Sequence, residues 1–121
     1  MIEQAKNTNF QLRRSDSFNS NVDINKYNKS WAEVLSNMNR YKIIDIRDPV
    51  NYQMYRVKGS LNLRSLEEIK QKNINGPLII SCYKGRSSPS FALRLREEGY
   101  EAYSVKKGIE GFKEETNFKI I

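Results

Sequence analysis

Three short apolar, β-branched runs in this chain are typical of buried β-strands: residues 41–46, 77–80 and 102–105. Each run is followed by a stretch with the turn, capping or periodic signals of a helix. Strands that alternate with helices need crossover connections, which produce parallel pairing and helices on both faces of the sheet. The pattern therefore predicts an α/β fold, a parallel β-sheet flanked by helices on both faces.

Two weaker strands complete the predicted sheet. Residues 22–24 are a candidate edge strand, and Gly59 begins a turn into a short strand over residues 61–63. Residues 1–21 are rich in Asn, Gln and Ser and hold few apolar anchors, so we expect a mobile polar arm there and one domain over residues 22–121.

Local signals set the helix boundaries. Ser30, Asp48 and Ser65 stand where N-cap residues are expected, with Pro49 at a first helical position. Gly99 is a helix-ending glycine. Trp31 opens a helical spacing of apolar residues and is predicted to anchor the core. The helices are expected from residue 31, over 49–55, from residue 66, and over about 87–98 and 109–115.

The residue composition narrows the chemistry. The chain has one Cys and no His, which excludes an internal disulfide and leaves zinc or iron sites without their usual ligands. We therefore expect no metal and no cofactor. The missing His also removes the commonest general base, so a nucleophile must be activated by electrostatics.

The formal net charge of +7 favours small anionic substrates or an acidic partner. Nucleic acid is not expected as a partner, because no nucleic-acid motif accompanies the basic residues. No run approaches transmembrane length, and no apolar signal-peptide core is found near the first residues. We therefore expect a cytoplasmic protein without a membrane partner.

Cys82 stands between the end of a predicted buried strand and the start of a predicted helix. A helix N-terminus presents unpaired N–H groups and partial positive charge, which favour a thiolate and bound anions. Lys84 and Arg86 add cations nearby. These surroundings predict a reactive thiol of low pKa, against the alternative that Cys82 is an ordinary buried core cysteine. Asp45 also falls at a strand end and is expected to face the same crevice.

At this point the chain resembles the rhodanese domain family, and in pattern its single-domain thiosulfate sulfurtransferases. The resemblance rests on motifs that occur in the family's order: residues 44–48, 55–62, 82–88, 99–100 and 108–112. It covers roughly residues 22–115. Within residues 55–60, only Gly59 matches the family's pattern well.

The resemblance implies a sulfur carrier. Cys82 would take the outer sulfur of thiosulfate and hold it as a persulfide. The acceptor would be cyanide or a thiol, on a small molecule or a thioredoxin-like protein. Backbone N–H groups of the loop would face the sulfur. The implied substrate-binding residues are Tyr83, Lys84, Gly85, Arg86 and Ser87, supported by Asp45 and Arg47.

Some roles stay open at the level of sequence. Asp45 is expected to be structural, with hydrogen bonds to the loop or to neighbouring backbone. Arg47 pairs with an acid such as Asp48 or Glu67, or faces the pocket. Three other functions compete with thiosulfate chemistry: a non-catalytic interaction module, a sulfur relay to a partner protein, and a Cys-based phosphatase. The phosphatase reaction requires an arginine six residues after the cysteine, where this chain has Ser88.

Overall fold

Strands and helices alternate along residues 23–116, the part of the chain that this computed structural model describes. The strands are β1 (Asn28–Lys29), β2 (Lys42–Asp45), β3 (Leu61–Asn62), β4 (Leu78–Ser81) and β5 (Ala102–Val105). The helices are α1 (Trp31–Leu35), α2 (Pro49–Met54), α3 (Leu66–Lys72), α4 (Ser88–Glu97) and α5 (Gly108–Thr116).

The strands form one parallel sheet in the order β1-β5-β4-β2-β3. β4 is central, and its four residues are buried. Asp45, the last residue of β2, lies opposite Ser81, the last residue of β4. The two strands therefore end at the same edge of the sheet, and the segments that follow them start side by side.

Two apolar clusters cover the two faces of this sheet. Ile79 belongs to the cluster that α1 and α5 pack against, and Ile80 to the cluster that α3 and α4 pack against. Successive strand side chains point to opposite faces, so a fully apolar strand is expected only where both faces are covered. The predicted fold class, a parallel sheet with helices on both faces, is confirmed.

The predicted N-caps are present. Ser30 Oγ accepts a hydrogen bond from the N–H of Glu33 at 3.1 Å, and Ser65 Oγ accepts one from the N–H of Glu68 at 3.1 Å. Asp48 caps α2 in the same way, and Pro49 is its first residue. Such short helices depend on caps and tertiary contacts, because isolated helices of this length are unstable.

The predicted edge strand at residues 22–24 is wrong. Residues 24–27 form a turn, in which Asp23 Oδ1 accepts a hydrogen bond from the N–H of Asn25 at 3.0 Å. The edge strand is β1, which pairs with the end of β5. Two polar residues carry no alternation that would identify a strand, so only the pairing itself reveals β1. Val22, the predicted polar arm and residues 117–121 lie outside the described residues.

Two further findings bear on function. Between residues 23 and 116, no helix combines the length and apolarity that crossing a bilayer requires. The same residues contain no group of three His, Cys, Asp or Glu side chains that could hold a metal ion.

Candidate active site

Cys82 follows β4 directly and begins the loop that leads into α4. Its free thiol is only 5% exposed. The N–H of Gly85 donates a hydrogen bond to Cys82 Sγ at 3.1 Å. Gly85 has a φ of +86°, and a Cβ at this position would lie 2.7 Å from the backbone nitrogen of Lys107. Glycine is therefore required both by the backbone conformation and by the close approach of the neighbouring chain segment.

The start of α4 supplies the remaining donors to the sulfur. Ser87, the N-cap, makes no side-chain hydrogen bond to the helix, so the first N–H groups of α4 stay available. Burial raises the pKa of the Cys82 thiol, but hydrogen bonds from the side chains and N–H groups of Ser88 and Ser87 outweigh burial and lower this pKa below its ordinary value. This direction is the one expected from the sequence for the Cys82 pKa, and the reactivity of the thiol stays a prediction.

A pair of buried hydroxyls lies beneath the sulfur. Ser88 Oγ is 3.5 Å from Cys82 Sγ and 2.7 Å from Ser104 Oγ on β5. Both serines are almost completely buried. Sequence analysis did not identify Ser104. Its position in a strand can be predicted from the neighbouring residues, but its contact with Ser88 depends on how the strand and α4 pack.

The beginning of α5 is hydrogen-bonded to the backbone of the Cys82 loop. The N–H of Ile109 donates to the carbonyl of Cys82 at 2.9 Å, and the N–H of Glu110 donates to the carbonyl of Tyr83 at 3.2 Å. A Cβ at Gly108 would lie 2.2 Å from the Cys82 carbonyl oxygen. Trp31 is the predicted core anchor, and its Nε1 donates to the Gly108 carbonyl at 2.7 Å. The hydrophobic core thus contacts the Cys82 loop through Gly108, which belongs to the last of the family motifs, residues 108–112.

The other predicted loop residues form an exposed rim. Tyr83 is 44% exposed, and Lys84, Arg86 and Ser87 are exposed as well. Neither Lys84 nor Arg86 forms an ion pair with any residue between 23 and 116. Both cations are therefore available to an incoming anion.

Arg47 pairs with Asp45, which corrects the expected partners Asp48 and Glu67. Arg47 Nη2 lies 2.8 Å from Asp45 Oδ2, and both side chains are buried. Asp45 Oδ1 also accepts the N–H of Arg47 at 3.0 Å, as expected for a carboxylate that binds neighbouring backbone. Arg47 Nη2 donates further to the Tyr55 carbonyl. Within the described structure, no hydrogen bond joins Arg47 to residues 82–87. The pair therefore stabilises the segment that follows β2, and this segment starts next to the Cys82 loop.

A separate cleft of about 330 Å³ lies between α3 and α4. Its lining residues are Arg64, Ser65, Leu66, Glu67, Phe91, Arg94 and Leu95. Cys82 is not among them, so this cleft is distinct from the site.

The sequence comparison identifies the family. The sequence-family model of the rhodanese-like domain matches residues 28–115, which are most of this chain. The chain belongs to the rhodanese-like domain family. The resemblance noted in the sequence is therefore confirmed.

Several curated relatives of this chain carry the name thiosulfate sulfurtransferase GlpE. The protein of Ectopseudomonas mendocina is 40% identical over 72 residues, which cover 56% of this chain and 66% of the relative. The protein of Glaesserella parasuis is 39% identical over 74 residues, 58% of this chain and 68% of the relative. The protein of Vibrio cholerae is 28% identical over 95 residues, 75% of this chain and 85% of the relative.

Solved structures agree on the rhodanese fold. A rhodanese-related protein from Thermoplasma volcanium has a TM-score of 0.68 and 20% identity, over 78% of this chain and 96% of that chain. Reduced CoADR-RHD from Bacillus anthracis has a TM-score of 0.66 and 24% identity, over 78% of this chain and 18% of that chain. At these identities the likeness establishes the fold alone.

Proposed function

We propose that this rhodanese-like protein is a thiosulfate sulfurtransferase that works through a Cys82 persulfide. The observation that carries the proposal is the sulfur of Cys82, which receives the Gly85 N–H at 3.1 Å at the start of α4. The curated names of its relatives support the same reaction. A free catalytic thiol also needs a reducing compartment, which fits a cytoplasmic location.

In the first half-reaction, the Cys82 thiolate attacks the outer sulfur of thiosulfate. Its electron pair forms the new S–S bond. The S–S bond of thiosulfate breaks, and its electrons leave on sulfite. The products are the Cys82 persulfide anion and sulfite, with charge conserved. The lowered pKa of Cys82 favours the ionised form of the attacking group without a histidine base.

In the second half-reaction, cyanide or a thiolate attacks the outer sulfur of the persulfide. The S–S bond breaks, and its electron pair returns to Cys82 as a thiolate. The donors that stabilise the resting thiolate, the N–H of Gly85 and the hydroxyl of Ser88, then stabilise the leaving group. The acceptor is a small thiol, cyanide or an exposed thiol of a partner protein.

The exposed rim selects the donor in this proposal. Thiosulfate is a dianion, and bringing it beside a thiolate is unfavourable unless cations compensate. Lys84 and Arg86 are exposed and without ion-pair partners among residues 23–116, so they bind the donor's sulfonate oxygens. Tyr83 and Ser87 contact the donor at the loop mouth, and Gly85 supplies backbone N–H.

The geometry argues against phosphatase chemistry. The sixth residue after Cys82 is Ser88, whose side chain is buried against the sulfur and Ser104. Arg86, the loop's arginine, comes two residues too early for that role. The loop therefore lacks the arginine that would wrap a phosphate from its far end.

Intact-mass spectrometry after exposure to thiosulfate tests the proposal. We expect the wild-type protein to gain one sulfur atom, and cyanide to remove it as thiocyanate. The Cys82→Ala protein should stay folded, gain no sulfur and form no thiocyanate, because Cys82 is the chain's single thiol. Thiocyanate production by folded Cys82→Ala protein, or a wild-type protein that gains no sulfur, would refute the mechanism.

A further inference from the structure

We propose that Ser104 is a positioning residue, whose buried hydroxyl acts through Ser88 to favour the thiolate of Cys82. Among the described residues, no hydrogen bond joins Ser104 to the sulfur. Its Oγ lies 2.7 Å from Ser88 Oγ, which lies 3.5 Å from Cys82 Sγ. The proposal deepens the proposed function, since it assumes that Cys82 reacts as a thiolate, but its test measures ionisation and not sulfur transfer.

The hydroxyl protons decide the direction of this chain of hydrogen bonds. Each serine hydroxyl has one proton to donate. A thiolate accepts only, so Ser88 must turn its proton toward Cys82 when the sulfur is ionised. Ser88 Oγ is then free to accept the proton of Ser104. The result is a directed chain from Ser104 to Ser88 to the sulfur, in which each hydroxyl donates once.

The neutral thiol gains less from the same pair. The S–H group of the neutral thiol is a weak donor. When it donates to Ser88, the Ser88 hydroxyl donates its proton to Ser104 and not to the sulfur. Successive hydrogen bonds polarise one another in a buried environment, so Ser104 strengthens the bond that Ser88 makes to a charged acceptor. Both serines are almost fully buried, 0% and 1% exposed, so water competes little for these protons.

This pair matters most for the second half-reaction. Lowering a thiol's pKa weakens its nucleophilicity but makes it a better leaving group. Cys82 must leave as a thiolate when the acceptor takes the outer sulfur. Ser88 and Ser104 stabilise the sulfur as that charge develops.

Charged groups elsewhere around the loop are unchanged by substitutions at the hydroxyl pair. Lys84 and Arg86 lie on the loop, and Lys107 and Glu110 lie just before and within the first turn of α5. The Asp45–Arg47 pair lies at the end of β2 and just after it. A shift in the Cys82 pKa on removing a hydroxyl therefore reports the hydrogen bond and not a change of nearby charge.

The test measures the Cys82 pKa in folded protein, from the pH dependence of iodoacetamide alkylation and of thiolate absorbance. We expect Ser88→Ala to raise it by about one pH unit and Ser104→Ala by about half a unit, from the size of single hydrogen bonds. Ser81→Ala is the matched control. Ser81 is equally buried and adjoins Cys82, but its Oγ contacts the Cys82 carbonyl and not the sulfur.

A double-mutant cycle identifies the route of the effect. If Ser104 acts through Ser88, adding Ser104→Ala to Ser88→Ala should raise the pKa no further. Ser104→Thr retains a hydroxyl and should keep the pKa close to wild type. It also provides a folded comparison if Ser104→Ala is unstable.

Two results would overturn the proposal. One is a Ser104→Ala shift no larger than that of Ser81→Ala. The other is the same Ser104→Ala shift with and without Ser88. Neither result depends on whether the protein transfers sulfur, so failure of this inference is distinguishable from failure of the proposed function.

Discussion

The segment from Cys82 to Ser88 has a buried underside and an exposed rim, which differ in burial and in the contacts that their residues make. On the underside, Cys82 is hydrogen-bonded to the start of α5 and Ser88 to Ser104 on β5. The backbone of Gly85 leaves no room for a Cβ beside Lys107. On the rim, Lys84 and Arg86 extend into solvent without ion-pair partners between residues 23 and 116. One stretch of chain thus combines a fixed sulfur with adaptable cations.

The two regions should therefore have different effects on the reaction. Contacts on the underside are backbone hydrogen bonds and buried hydroxyls, which cannot rearrange without disturbing the core. They set the ionisation and position of the sulfur for any donor. The rim cations are long, solvated side chains, which affect only a ligand that carries charge. Changes on the underside should therefore alter all reactions, and changes on the rim should alter donor choice.

Gly108→Ala should have the largest effect, because it disrupts the underside. The φ of Gly108 is +55°, which costs a non-glycine residue about 1–2 kcal/mol. The added Cβ would also lie 2.2 Å from the Cys82 carbonyl oxygen, an overpacking that costs a further 1–3 kcal/mol or so. We expect lower stability in urea unfolding and a loss of activity with every donor.

Gly76→Ala is the matched control for Gly108→Ala. Gly76 also has positive φ, +92°, but a Cβ there would meet nothing within 4 Å. This variant should lose stability from backbone strain alone and keep its activity once folded. Equal activity losses in the two folded variants would show that the contact of Gly108 with the loop is not what matters.

Lys84→Ala and Arg86→Ala should have the next largest effect, and a selective one. A charge-assisted contact is worth about 1.5–3 kcal/mol, so each change should lower kcat/KM for thiosulfate by about ten- to a hundred-fold. A neutral persulfide or organic thiosulfonate donor needs no such compensation and should lose much less. Steady-state kinetics with matched charged and neutral donors would measure the difference.

Arg94→Ala provides the control for net charge. Arg94 is also exposed, but it lines the separate cleft between α3 and α4. Its removal should leave both donors nearly unaffected. If charged and neutral donors lost equal rate in the rim variants, Lys84 and Arg86 would be shaping the loop and not binding the anion.

The smallest expected effect is a shift in the pH dependence of alkylation. Hydrogen bonds from Ser88 and Ser87 lower the Cys82 pKa despite its burial. The thiolate should therefore persist to lower pH than in an ordinary cysteine. Iodoacetamide alkylation should reach half its limiting rate below pH ~8.5, the value of an unperturbed thiol. A midpoint at or above that value would mean that burial outweighs the underside hydrogen bonds.

The sequence alone predicted the parts of this molecule that depend on near neighbours. β4, the capping residues Ser30, Asp48 and Ser65, and the position of Cys82 between strand and helix could be predicted, because apolar periodicity and caps act over a few residues. The rhodanese resemblance came from the same kind of local, ordered motif.

Only the tertiary structure decided which distant residues surround the sulfur. Ser104 reaches Ser88, and Trp31 reaches Gly108, because parallel strand ends and the helices that follow them converge at one edge of the sheet. Arg47 forms its ion pair with Asp45, although the sequence analysis had named Asp48 and Glu67 as partners. β1 exists only through its pairing with β5. Such contacts follow from how the elements pack, and no local pattern of residues records that packing.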